Sequence, residues 1–570
     1  MTISRRNTLI LFFVLAGLKV FAQTDYFADP VKIPIFLSGN FCELRPNHFH
    51  GGVDFKTQQR IGVPIYSAAE GFIYRIVVSP TGYGKAIYIE HPNGTSSVYA
   101  HLDRFRDDIE NYVREEQYQR KSFAVDLALV KNQFQLEKQE LIAYGGNSGS
   151  SGGPHLHFEI RDSKTQDALN PLAYNFSVTD NVPPRIYSLV AYTISENSHI
   201  NSSISKRTFQ AVSSGGNYTL PQNAEIQAFG KIGFAIRAND FYDGSHNICG
   251  IYSAKMKVNG EEIFAYAFDR MPFSDTRYMN SHIDYELSLT NGNRIHKLWR
   301  QPGNKLKIYH TDVNRGIIDV KDGESYNIVI AVSDIAGNKT NLSFRVKGVV
   351  RNISRPVPEH VSFFTFDDDN MFRTPFFEIL APEGAFYDDF YFNYRVSPKT
   401  PGLFSKIHTV HKEAEPIHHP VKIRLLTEGL PEGLTEKSFI GRISGNENRS
   451  YVGGSLSQGW FEAEVRNFGK YAVMTDTIPP RINPLSIKDN NAITESNRIR
   501  FTLSDNLSGI KSYEGTINGE WVLFEYDAKN RLLSYEIDKN RLETGKRHTL
   551  VLTVKDNVNN TATYEATFWK

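Results

Sequence analysis

Only two cysteines, Cys42 and Cys249, occur in 570 residues, which excludes a disulfide-stapled miniprotein and a thiolate zinc cluster. Excess charge of one sign is missing too. Lys and Arg number 64 against 63 Asp and Glu, and a net charge of +1 leaves no global field for nucleic acid or an anionic membrane. Beyond the first residues no apolar run reaches the ~18 positions of a membrane span, so no integral membrane segment is expected in the mature chain. What remains is ordinary globular composition, 40% hydrophobic and 22% charged. Aromatics at 12%, among them 29 Tyr and 38 Phe, lean toward β structure. The length suits about three to five domains, each able to bury its own core.

The chain opens with Ser4-Arg5-Arg6, an apolar stretch from Leu9 to Leu18, and Val20 and Ala22 before Gln23. A basic start, a short apolar run and compact residues ahead of a cut after Ala22 describe a signal peptide over residues 1–22. Export to the periplasm or cell envelope is therefore expected.

Residues 23–175 alternate in short β patterns, as in Val63-Pro-Ile-Tyr66 and Ala86-Ile-Tyr-Ile-Glu90, broken by Pro80-Thr-Gly-Tyr-Gly84 and Pro92-Asn-Gly94. Residues 103–140 differ. They are charged and hold Phe105, Ile109 and Val113 at helical spacing, which predicts one or two helices inserted into a β domain. Downstream the chain repeats itself. Thr179-Asp-Asn-Val-Pro-Pro-Arg-Ile186 returns as Thr475-Asp-Thr-Ile-Pro-Pro-Arg-Ile482, Val258-Asn-Gly-Glu261 as Ile517-Asn-Gly-Glu520, and Asp334 with Asn338 as Asp556 with Asn560. Asn-Gly between β-prone runs predicts tight hairpins, and Pro-Pro suits a linker before a first strand. The fold class expected is mainly β. An N-terminal antiparallel domain with a helical insertion is followed by an immunoglobulin-like sandwich with insertions (176–349), a β-rich domain of unassigned family (350–474) and a second immunoglobulin-like sandwich (475–570).

Two patterns carry chemistry: Arg45-Pro-Asn-His-Phe-His50-Gly-Gly-Val-Asp54, and Gly153-Pro-His155-Leu-His157-Phe-Glu159-Ile160. In an extended strand His155, His157 and Glu159 share one face while Leu156, Phe158 and Ile160 take the other. Imidazole and carboxylate are what Zn²⁺ accepts without thiolate, and a catalytic zinc keeps three protein ligands. His50, Asp54 and one of His155 or His157 supply that set, and the spare histidine is left for proton transfer. Val98-Tyr-Ala-His101 adds another imidazole.

In their combination and order, His50-Gly-Gly-Val-Asp54, Tyr99-Ala-His101-Leu and Gly153-Pro-His-Leu-His-Phe-Glu-Ile160 resemble the lysostaphin-type, or LytM-type, zinc metallopeptidases that cleave peptidoglycan peptides. The resemblance covers roughly 37–172. It implies His50, Asp54 and His157 as zinc ligands, His155 as the histidine handling the water proton, and His101 as holding the water or the oxyanion. Arg45 and Asn47 are candidate substrate-binding residues, Arg45 through bidentate bonds to a carboxylate. The function expected is an exported zinc metalloendopeptidase acting on peptidoglycan peptide stems or crosslinks. The second reading is a wall-binding or regulatory module that activates other wall hydrolases, its zinc covered by the 103–140 insertion until a protein partner displaces it. Two further features stand open. His408, His411, His418 and His419 read as a polar loop rather than a second metal site, and Cys42 and Cys249 either pair or stay as buried thiols.

Overall fold

Alternating runs between Leu37 and Leu169 build one antiparallel sheet around an aromatic core. In chain order its elements are β1 (Leu37–Gly39), β2 (Leu44–Arg45), β3 (His48–Phe49), β4 (Val53–Lys56), β5 (Val63–Tyr66), β6 (Gly71–Val78), β7 (Lys85–Glu90), β8 (Thr95–Phe105), α1 (Asp107–Arg120), β9 (Val125–Ala128), β10 (Gln135–Leu136), β11 (Leu141–Gly145), β12 (His155–Asp162) and β13 (Ala168–Leu169). The coordinates are a computed structural model that describes residues 26–569 apart from 222–223, 357–358, 494–496, 539–540 and 544. The signal peptide inferred for residues 1–22 lies outside the described residues.

The main sheet runs β1-β4-β12-β8-β7-β6-β10, with β11 joining β5 to β8 and β9 closing on β6; β2 and β3 form a separate hairpin. Leu156, Phe158 and Ile160 of β12 are fully buried, as alternation requires, and pack with Phe55, Tyr99 and Phe176. Each such side chain contributes about 1.5–3 kcal/mol relative to exposure. Because that face is anchored, the polar face of β12 is fixed in register. His157 lies opposite Asp54 of β4 and Ala100 of β8.

The 103–140 region holds one helix, α1, whose Ile109, Val113 and Gln117 face inward. The rest is not helical. Val125-Asp-Leu-Ala128 alternates buried and exposed residues and adds to β6, as does β10, so this part continues the sheet.

Downstream, the strand Glu225–Asn239 pairs with Arg185–Thr193 and continues beside Lys339–Gly348, tying two layers into one sandwich. Both Asn-Gly pairs form the expected tight hairpins, with Asn259 and Asn518 at φ 51° and 55°. The extra residues of the first copy include two short helices, Met279–His282 and Tyr285–Asn291. Two five-stranded sheets enclose a core holding Phe364, Phe377 and Phe392 in the third region, and sheets of four and five strands form the last sandwich.

The first two units interlock. Phe41, Cys42, Leu44 and Phe49 belong to the core of the following sandwich, while Tyr242 and Cys249 of that sandwich enter the core of the N-terminal sheet. Cys42 and Cys249 are separate buried thiols. The last sandwich returns to the first unit. Lys529 donates to the carbonyls of Asn147 and Gly149, Trp521 meets Tyr118 of α1 edge to face, and Arg541 lies over the Tyr118 ring.

Candidate metal centre

Three side chains from β4, β12 and the turn before β4 converge on one point. His50 Nε2 lies 2.9 Å from His157 Nδ1 and 3.1 Å from Asp54 Oδ1, and His157 Nδ1 lies 3.0 Å from Asp54 Oδ1. All three residues are buried. The triangle matches one face of a tetrahedral zinc site, whose ligands at ~2.0–2.1 Å from the ion stand about 3.3 Å apart.

The outer ring nitrogens decide what the inner ones are. His50 Nδ1 faces the Asn40 carbonyl at 2.8 Å, and His157 Nε2 faces Glu159 Oε1 at 2.8 Å. Both partners only accept, so each outer nitrogen carries the proton and each inner nitrogen presents a lone pair. Two lone pairs and a carboxylate oxygen therefore meet, an arrangement that calls for a cation. The donor set fits a metal ion of the zinc type. Without a metal a proton takes its place: burial works against charging His157, yet Asp54 and Glu159 outweigh it and push its pKa up to about 9. Asp54 is held well below the ordinary carboxylate range because His50, His155 and His157 override its burial.

His155, which lines a cavity beside the cluster, and His101, whose ring stands 5.8 Å from that of His157, flank the three. His155 Nδ1 bonds the Gly153 carbonyl at 2.8 Å and its Nε2 lies 3.4 Å from Asp54 Oδ1. His101 Nδ1 bonds the Ser148 carbonyl at 2.9 Å, and its ring stands 4.9 Å from that of His155. By the same logic both Nε2 atoms are lone pairs. Burial, reinforced by His157 and His155, lowers the His101 pKa to about 3. His101 adopts φ 60° where the pairing of β7 with β8 slips between Lys85 and Ile87. This bulge turns the side chain toward the cluster, at a backbone cost on the order of 1 kcal/mol.

Several contributors carried little signal. Glu159, fully buried, accepts from His157, from the Tyr83 hydroxyl at 2.5 Å and from Arg161 Nε at 2.6 Å. Glu159 and Arg161 continue the polar face of β12 and were within reach of the alternation argument. Tyr83 sits in a turn and gave no hint. The Asn40 side chain bonds the Gly250 backbone both ways, at 2.7 and 2.9 Å, so the backbone that holds His50 is pinned by the sandwich.

A cavity of about 610 Å³ opens beside Asp54 and His155, lined also by Arg45, Lys56, Pro154 and Asn247. Arg45 is committed within the protein: its Nη2 donates to Asp54 Oδ2 at 2.8 Å and its Nε lies 3.4 Å from Glu43 Oε1. Asn47 does not line this cavity, and its amide oxygen accepts from Asn280 of the sandwich at 3.0 Å. His48 is exposed and does not line the cavity. No residue of 103–140 lines the cavity. The histidines of 408–419 depart from the polar-loop expectation. His408 stacks on Phe377 and His418 on Tyr278, both imidazoles being buried, and neither joins a metal-ligand cluster among the described residues.

Residues 48–120 match the model of Peptidase family M23, and residues 361–476 match that of a Zu5-like domain. A Haemophilus influenzae protein described as an uncharacterized metalloprotease is 31% identical over 129 residues, 23% of this chain and 21% of its own length. The DD-carboxypeptidase/endopeptidase Mpg of Neisseria meningitidis serogroup B is 31% identical over 112 residues, 20% of each chain. The chain thus spans about a fifth of the length of these curated relatives. Among solved structures, the catalytic domain of the prophage-encoded protein EnpA from Enterococcus faecalis aligns at 23% identity over 26% of this chain and 97% of its own, with a TM-score of 0.20. The N-terminal unit is a Peptidase family M23 domain of the LytM type.

Proposed function

We propose that this chain is an exported zinc metalloendopeptidase that hydrolyses peptide crosslinks of bacterial peptidoglycan. The observation that carries the reading is the convergence of two imidazole lone pairs and one carboxylate oxygen within 2.9–3.1 Å, beside two further imidazoles, His155 and His101, whose Nδ1 atoms are tied to backbone carbonyls. His50 Nε2, Asp54 Oδ1 and His157 Nδ1 would hold the ion. When bound there, zinc supplies Lewis acidity and makes water nucleophilic near neutral pH.

The chain's own residues do the rest. His155, with Nδ1 tied to the Gly153 carbonyl, offers Nε2 as the base that takes a water proton and returns it to the leaving amine, work typically worth about 10²–10⁴ in rate. His101, kept neutral by burial, accepts a hydrogen bond from water through Nε2. Its single N–H is already given to Ser148, which favours holding the water over stabilising an oxyanion. Glu159 fixes the His157 tautomer, and Arg45 orients Asp54. The relatives named for DD-endopeptidase activity support a wall peptide as substrate. The insertion-gated regulatory reading is less favoured, since no residue of 103–140 lines the cavity.

Digestion of defined crosslinked muropeptides, with zinc measured in the same samples, tests the proposal. His155→Ala is expected to keep near-normal zinc and lose cleavage, and His50→Ala to lose the ion itself. Wild-type protein that binds no zinc, or binds it and leaves crosslinks intact, overturns the reading.

A further inference from the structure

Outside the zinc-type cluster, the two copies of the internal repeat each bring three aspartates together: Asp180, Asp240 and Asp334 in the first, Asp476, Asp505 and Asp556 in the second. In both, one oxygen of each residue lies within 4.8 Å of the others. The residues are equivalent. Asp180 and Asp476 precede the Pro-Pro linker, Asp240 and Asp505 follow the strand residue paired with the next Arg, and Asp334 and Asp556 end a core strand. The supporting bonds repeat as well. Asn338 donates to the Asp180 carbonyl and to Asp334, as Asn560 does to the Asp476 carbonyl and to Asp556.

The two clusters differ in how their oxygens are satisfied. In the second, backbone amides of Ile478, Ser508, Leu507, Gly509, Val558 and Asn560, together with the Asn560 side-chain amide on Asp556 Oδ2, reach all oxygens but Asp505 Oδ1. In the first, three buried oxygens have no hydrogen-bond partner: Asp180 Oδ2 and both oxygens of Asp240, a residue with 0% exposure. Among the described residues none of these three aspartates enters an ion pair. A buried carboxylate without partners is costly unless neutralised. Burial, then Asp180 and Asp334, push Asp240 up to about 9, with only the Phe241 amide opposing them.

We propose that Asp180, Asp240 and Asp334 bind a hard divalent cation of the calcium type at the joint between the M23 domain and the following sandwich. The donor set is all oxygen, as calcium prefers, and oxygens held at 2.3–2.6 Å on opposite sides of such an ion stand at most about 5 Å apart. The ion would lie at the root of the 240–249 loop, which Asp240 and Cys249 close with two backbone bonds of 3.0 Å. That loop carries Asn247 to the cavity wall and Tyr242 to the Asn40 side chain, so the cation would set the wall of the cleft as well as the joint.

The test uses the full mature chain, stripped of divalent ions, reloaded with one equivalent of zinc and titrated calorimetrically with calcium chloride, with magnesium chloride as a parallel arm. Saturable calcium binding is expected, together with a calcium-dependent rise in the unfolding midpoint and weaker binding of magnesium. Asp240→Asn should lose one calcium equivalent, yet unfold no earlier than wild type in calcium-free buffer, because it removes repulsion. Asp180→Asn, at a half-buried linker position, should lose the same equivalent and covers the case in which the first variant fails to fold. Wild-type protein that takes up no calcium at millimolar concentration overturns the proposal, as do folded variants that keep every equivalent.

Discussion

Replacing Glu159 by Gln tests whether this carboxylate of β12 sets the chemistry of the proposed ligands His50, Asp54 and His157. Three donors converge on the two Glu159 oxygens: His157 Nε2, the Tyr83 hydroxyl and Arg161 Nε. An amide of the same shape offers one oxygen and one NH₂. If the oxygen turns to Arg161, His157 meets a donor, moves its proton to Nδ1 and loses the lone pair aimed at Asp54. Loss of such an outer partner costs about 10–100-fold in metal affinity, or about 1.4–2.7 kcal/mol. If the oxygen turns to His157 instead, the Arg161 guanidinium, only 7% exposed and already without its counter-charge in either orientation, also loses its acceptor and faces an NH₂ donor. Breaking a buried pair in that way costs about 3–5 kcal/mol of stability. Zinc competition titration and thermal unfolding of the same preparations distinguish the branches, and excess zinc should restore cleavage in the first. A Glu159→Gln variant with wild-type zinc affinity and a wild-type unfolding midpoint refutes the reasoning.

Three further expectations follow from the same structure. Gly52→Ala places a Cβ against the Phe158 carbonyl and 2.8 Å from Glu159 Cγ, so β4 and β12 must part, and zinc content should fall with cleavage. Phe158→Ala empties a fully buried site beside Phe55 and Tyr99 and should destabilise the M23 domain by about 3–5 kcal/mol in denaturant unfolding. His296, buried in the first sandwich, has its pKa lowered to about 3 by burial and then by Arg294. The unfolded chain takes up a proton near pH 6.5 that the folded chain refuses, so stability falls between pH 6.5 and about 3, by up to about 1.4 kcal/mol per pH unit. His296→Gln should flatten that slope, and an unchanged slope counts against the assignment.

The chemistry-bearing residues were legible because their information is local. Alternation on β12 dictates that His155, His157 and Glu159 share a face, and the apolar partners Leu156, Phe158 and Ile160 dictate which face is core. The Asn-Gly hairpins were legible for the same reason, since only a few residues tolerate positive φ in succession. The insertion was read less well: periodicity located α1, but the alternation of Val125–Ala128 was hidden in a charged stretch and became a strand only by pairing with β6.

Residue identity and spacing alone thus determined which imidazoles and carboxylates were available to the cluster, the order of the motifs, the repeat and the mainly β class. Folding decided what depends on long-range neighbours. It gave Arg45 to Asp54 and Asn47 to Asn280, stacked His408 and His418 on aromatic rings, and drew the β2–β3 hairpin into the next sandwich. It also brought Asp240 to Asp180 and Asp334. Electrostatic partnership and burial are set by distances between residues far apart in the chain, and those distances exist only once the sheets have packed.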